Sequence, residues 1–282
     1  MDASARALAH VAARSSGPPL PADARITVHF HPDRRIGGET VLERIAAEGA
    51  YRSQFSTGIS NGGLTAHPGG DRWRWESRMF GGAYDEAAAD ERPVYGAVEH
   101  RQRATGGAIR FGSSWLELAR HAWPRVTLCW PDSVAEPERF GTAERAGDLL
   151  AMADAAAADP LDDYVEAHVH GGLDVARDVE RLVLDPSFRG TEIERVAWEL
   201  GVPVAWHAGL ELRVDRIEEL EAYRGVDALA LAVELAEDGR VDARILGEAA
   251  AGMQGGAAGA HDAQTLKRVW HLIARFGHRV AQ

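Results

Sequence analysis

Polar and apolar positions alternate in short runs through the middle of this chain, whereas its two ends carry the spacing of helices. An Ala-rich helix is predicted over 3–14, closed by Ser15-Ser16-Gly17-Pro18-Pro19. A strand over 25–31 stops at Pro32, which cannot continue a central ladder. Val41, Leu42 and Ile45 give 38–49 an apolar helical stripe that ends at Gly49. Further strands are predicted at 51–58, 94–98, 108–112, 126–130, 179–184, 202–206 and 211–214, with a helix near 142–158. The glycine-rich stretch 59–85 reads as a long ligand-facing loop. Strands in the middle and helices at the ends give an α+β class rather than a regular βαβ repeat. The expected organisation is an N-terminal helix and linker over 1–24, a core over 25–215 and a C-terminal helical region over 216–282.

Within that pattern Tyr164-Val165-Glu166-Ala167-His168-Val169-His170-Gly171 stands out. Residues two apart on a strand point the same way, so Glu166, His168 and His170 share a side opposite Val165, Ala167 and Val169. One carboxylate and two imidazoles make a poor core and a good site wall. His29 and His31 repeat the pattern on the first strand, and two such strands, distant in sequence, assemble a cleft only through the fold.

Several chemistries are tested by these residues. Gly58-Ile59-Ser60-Asn61-Gly62 fits a nucleophile elbow, but that elbow must run directly into a helix, and Gly62-Gly63-Leu64-Thr65-Ala66-His67-Pro68 disfavours one. No glycine-rich dinucleotide fingerprint follows a strand and no P-loop is present. A metal-dependent hydrolase is the stronger alternative, with His29, His31, His168, His170 and His207 converging on one or two ions beside Asp33 or Asp185. Against it, Pro32 and Arg34 crowd the first pair, and no barrel-like alternation supports such a centre.

Charge narrows the field. A net charge of −12 argues against tracking nucleic-acid phosphates. The single Cys129 excludes an internal disulfide framework and a Cys-based zinc site, and in Val126-Thr127-Leu128-Cys129-Trp130 it reads as core packing. Lys267 is the only lysine, an imbalance that high-GC coding bias explains. No apolar stretch approaches the roughly 18–20 residues of a membrane span. The N-terminus lacks the basic and apolar regions of a Sec signal, which leaves a non-Sec route open.

The runs Phe30-His31-Pro32-Asp33-Arg34, Gln54-Phe55-Ser56-Thr57-Gly58-Ile59-Ser60-Asn61-Gly62-Gly63-Leu64, Pro68-Gly69-Gly70-Asp71-Arg72, Glu91-Arg92-Pro93-Val94-Tyr95-Gly96-Ala97, Arg110-Phe111-Gly112-Ser113 and Glu166-Ala167-His168-Val169-His170-Gly171 together resemble the CteC-type bacterial effectors. The resemblance covers about residues 25–210. It implies a soluble effector made in the bacterial cytoplasm, a threonine-specific mono-ADP-ribosyltransferase that takes NAD as co-substrate, modifies ubiquitin and blocks host ubiquitination. The implied fold is an ADP-ribosyltransferase-like split antiparallel β-core with the dinucleotide between two small sheets. The implied cofactor-binding residues are His31, Arg34, Ser56, Thr57, Gly58, Asn61, Arg72 and Tyr95, and no metal is expected.

Glu166 is the expected catalytic residue: a carboxylate on the ribose hydroxyl stabilises the positive charge that builds as the nicotinamide–ribose bond breaks. Glu166 is followed two places on by His168 and so forms no Glu-x-Glu or Gln-x-Glu pair, which disfavours arginine as acceptor and favours a hydroxyl. Glu166 or His168 would then take the acceptor proton. The preceding segment, Asp159-Pro160-Leu161-Asp162-Asp163-Tyr164, is expected to meet ubiquitin through Asp162 and Tyr164.

Overall fold

The alternating runs fold into strands that pair far across the sequence. The computed structural model describes residues 2–58, 65–215, 217–254 and 263–279. Strands β1 (Arg25–Phe30), β2 (Val94–Glu99), β3 (Ser114–Leu118), β4 (Val126–Trp130), β5 (Arg139–Thr142), β6 (Val165–Val169), β7 (Val179–Leu184) and β8 (Val204–Trp206) form one eight-stranded sheet in the order β8-β7-β3-β1-β2-β6-β4-β5. Neighbours are antiparallel except for the parallel edge pair β7 and β8. With helices gathered before, between and after the strands, the protein is α+β.

Register explains why the two faces of this sheet differ. Residues directly opposite one another lie on the same face. Thr27 faces Glu117 on one side and Ala97 on the other, Ala97 faces Glu166, and Glu166 faces Cys129. In the next row His29 faces Trp115, while Tyr95 faces His168 and His168 faces Thr127. One face therefore collects Thr27, His29, Glu117, Thr127, Glu166 and His168, all buried. The other carries Ile26, Val28, Phe30, Val98, Leu116, Leu128, Val165, Ala167 and Leu182, which belong to the main hydrophobic core.

Helices close both faces. α1 (Ala3–Ala12) packs Ala3, Ala7 and Val11 with Phe80, Tyr84, Cys129 and Phe140, over the β4–β5 end of the polar face. α2 (Val41–Glu48) starts at a capping box, in which Thr40 N–H donates to Glu43 at 2.6 Å and Glu43 N–H donates to Thr40 Oγ1 at 3.1 Å. Its buried Leu42 and Ile45 join the main core, as do residues of α4 (Gly147–Ala155), α5 (Glu192–Glu199), α6 (Val226–Leu235), α7 (Ala243–Gln254) and α8 (Ala263–Phe276).

Three segments depart from the alternation reading. Of the expected 51–58 strand only Tyr51 lies in a strand, the two-residue Ala50–Tyr51; Ser53 then caps a helical turn over Gln54–Thr57 and Gly58 ends it at φ 65°. Inside the supposed loop 59–85 lies a helix, α3 (Asp71–Met79), whose buried residues Arg72, Glu76 and Met79 fall at helical spacing. Residues 59–64 lie outside the described residues. The expected strand at 108–112 is a 3-10 turn over Ile109–Phe111, and the strand begins at Ser114. Trp270 of α8 donates its Nε1–H to the Ile109 carbonyl at 3.0 Å, which holds that turn against the C-terminal helix. Among the described residues no helix is long and apolar enough to cross a membrane.

Candidate functional site

A cleft of about 1040 Å³, counted out to its open mouth, lies over the polar face. Its floor is Thr27, His29, Tyr95, Gly96 and Glu166; Tyr51 and Thr57 line one wall, and Arg72, Phe111 and Tyr164 also face it.

Glu166 is 6% exposed yet ionised. Burial pushes its pKa up, but the hydrogen bond and charge of His168, the charge of Arg72 and the bond from Ser133 outweigh that and bring it below the usual glutamate value. His168 Nε2 lies 2.9 Å from Glu166 Oε1, and Ser133 offers its backbone N–H and its hydroxyl, each at 3.2 Å. The carboxylate is therefore aimed and already charged.

Behind Glu166 runs a buried row of hydrogen bonds. His168 donates its Nε2–H to the carboxylate, and Nδ1 of the same ring lies 3.1 Å from the Thr127 hydroxyl. Thr127 Oγ1 also lies 2.8 Å from His170 Nε2, and His170 Nδ1 lies 2.7 Å from the Tyr84 hydroxyl. Burial first, then the nearby His168 and Arg125, keep the His170 pKa well below the ordinary histidine value. Tyr84 Oη lies 3.3 Å from Ser4 Oγ on α1.

Arg72 is the second distinctive group. It is 6% exposed, its guanidinium lies 4.3 Å over the Tyr95 ring, and its Nε and Nη1 are buried without a hydrogen-bond partner. Tyr95 donates its hydroxyl to Glu76 at 3.1 Å, and Glu76 is locked to Arg92 at 2.6 Å inside the protein. Burial still pushes the Glu76 carboxyl up to about 7. A buried cation with two unused donors at the wall of a cleft is arranged for an anionic ligand.

The other expected residues divide. Tyr95, Arg72 and Thr57 line the cleft with Glu166; His168 stands directly behind. Ser56 is exposed on the helical turn and Gly58 closes it; Asn61 lies outside the described residues. His31 falls beyond the end of β1 and stacks edge-on against Trp270 at 4.9 Å rather than facing the cleft with His29. Arg34 lies by Tyr51 and does not line the cleft.

Asp162 is exposed and paired with Arg110. Tyr164 corrects the expectation of a partner-facing side chain: it is 4% exposed, with its hydroxyl on Asp132 and its ring edge-on to Phe111. Ser133, Thr127 and Glu76 escaped the sequence reading, because only sheet register and helix packing bring them to the site.

The five-histidine metal set does not assemble either. His29 donates Nδ1–H to the Gly112 carbonyl at 3.0 Å and accepts from the Ala108 amide at 3.3 Å, which satisfies both nitrogens. Burial holds its pKa down at about 3. His29 and His207 stack on Trp115, while His168 and His170 meet at Thr127. Among the described residues the one group of possible metal ligands is Cys129, Glu166 and His168. Cys129 thus lies at the site after all, with Sγ 3.7 Å from Glu166, although burial and the Glu166 charge push its thiol pKa well up.

A family model matches residues 25–153 and 143–276, a span that takes in the whole sheet and the cleft. The chain belongs to the DUF3626 family. That family is described as a protein of unknown function. No curated protein matches the chain significantly.

Proposed function

We propose that this protein is an NAD-dependent mono-ADP-ribosyltransferase whose acceptor is a hydroxyl, with a threonine of ubiquitin as the acceptor implied by the likeness to CteC-type effectors. The observation that carries the reading is the pair in the cleft: an ionised, buried Glu166 beside a buried Arg72 with two unused donors. One group suits the positive charge that develops on a ribose as nicotinamide leaves, and the other suits a phosphate. In overall balance, NAD and a protein hydroxyl give the O-linked ADP-ribosyl protein, nicotinamide and a proton.

The chain's own residues supply orientation and proton handling. Ser133 and His168 hold Glu166 in place, so its carboxylate can accept a ribose hydroxyl or take the acceptor proton without reorganising. Tyr95, clamped by Glu76, keeps Arg72 pressed to the wall. The strands form one sheet rather than two small ones, so on this reading the dinucleotide lies over a single polar face.

A metal-dependent reading narrows to Cys129, Glu166 and His168. It competes poorly, because a thiol ligand must be deprotonated while burial favours the neutral form here. The test is incubation with NAD and ubiquitin, with and without EDTA, followed by intact mass and nicotinamide release. ADP-ribosylated ubiquitin insensitive to EDTA is expected, and Glu166→Gln should lower turnover about 100-fold or more with little change in NAD affinity. Neither nicotinamide release nor a mass shift in the wild type would end the assignment.

A further inference from the structure

A second set of unused donors lies outside the cleft, where α8 meets the turn over Ile109–Phe111 and the short helix Glu221–Arg224. Arg224 Nε donates to His271 Nδ1 at 3.1 Å. An arginine N–H can only donate, so Nδ1 must accept, and the ring proton stands on Nε2. That Nε2–H is buried in a side chain 5% exposed and has no hydrogen-bond partner. Arg110 Nε is likewise buried and unpartnered.

The surroundings are cationic. Burial first, then Arg110, Arg224, Lys267 and His31, lower the His271 pKa to about 3. Burial, Arg110, Arg224 and Arg34 lower that of Lys267, the only lysine in the chain. Asp162 pairs with Arg110, and Asp159 holds Tyr223 and Arg275. Arg110, Arg224 and Lys267 are only half-buried.

We propose that His271, Arg110, Arg224 and Lys267 form an oxyanion site that takes a phosphate or diphosphate group, accepted by the His271 Nε2–H and neutralised by the three cations. A neutral imidazole supplies a fixed donor and the cations supply charge, the division of labour common in phosphate sites. The proposal stands whether or not the cleft transfers ADP-ribose, because none of these four residues lines the cleft.

Calorimetry with inorganic pyrophosphate, on the full chain, tests it. Near-stoichiometric binding is expected, weakened about tenfold or more in Lys267→Gln and in Arg224→Gln. Both substitutions are at half-buried positions, and circular dichroism checks that each variant folds. Binding should also shift the His271 Nε2 resonance in nitrogen-15 NMR and protect Lys267 from acylation.

Displacement of pyrophosphate by ADP-ribose would support the site and make a nucleotide the source of the phosphates; pyrophosphate binding without displacement would support it with free phosphate as the source. Absence of binding would overturn the proposal. So would binding lost in Arg72→Gln but unchanged in Lys267→Gln and Arg224→Gln, which would place the anion in the cleft.

Discussion

At the scale of single residues, Arg72 shows how stability and ligand capture diverge. A buried guanidinium without its full set of acceptors costs folding free energy, and a ligand that supplies them recovers it. Arg72→Gln is therefore expected to shrink the rise in melting temperature that NAD or ADP-ribose gives, with binding weakened about tenfold or more, measured by thermal unfolding with and without ligand. Unchanged ligand affinity would remove Arg72 from the site. The sequence shows Asp71-Arg72-Trp73-Arg74-Trp75-Glu76 but not which arginine turns inward; Arg74 pairs with Asp71 at the surface, whereas Arg72 sits one helical turn before buried Glu76.

At the scale of elements, alternation located most strands, and β4 and β7 run over the residues that their β-branched and apolar runs predict. It failed where caps and packing overrule local pattern. Ser53 and Gly58 bracket a helical turn that Tyr51, Phe55 and Thr57 suggested as a strand, and the aromatics and arginines of α3 hid its period. The site was legible in one strand alone: Glu166 and His168 read from their spacing, but Thr127 and Cys129 join them only through antiparallel register with a strand some forty residues earlier. Gly112 belongs to this scale too. A Cβ there would stand 2.2 Å from the backbone carbon of Phe30, so the turn over Ile109–Phe111 can enter β3 only without a side chain at that point. Gly112→Ala is expected to destabilise by about 1–3 kcal/mol in denaturant unfolding, since backbone must move to admit the methyl. A loss well under that range would mean the turn has slack.

For the whole molecule, the junction between the sheet and the C-terminal helices carries a pH dependence. Asp33, just past β1, sets its carboxylate where any side chain on Gly247 of α7 would stand. Burial first, then Asp185, Glu248 and Asp242, raise its pKa to about 7. A raised carboxyl pKa means the folded state holds its proton more tightly than the unfolded chain does. The contribution to stability is full below about pH 4 and is lost as pH rises through about 7. Asp33→Asn should match the wild type near pH 4 and exceed it increasingly up to pH 7 and beyond in thermal unfolding. A constant gap across that range would locate the titration elsewhere.

The row from Glu166 to Tyr84 has one more property. Each hydroxyl carries one proton and each neutral ring one N–H, so no member can reverse its direction alone. The contacts allow one sense in which Thr127 donates to His170, the His170 proton faces Tyr84 and the Tyr84 hydroxyl donates to Ser4, and a second in which these bonds run the other way. The row thus has two polarities, and its far end rests on a helix that lies before the family-matched residues 25–276. In this chain a segment outside the family-matched residues therefore anchors the far end of the hydrogen-bond row behind Glu166.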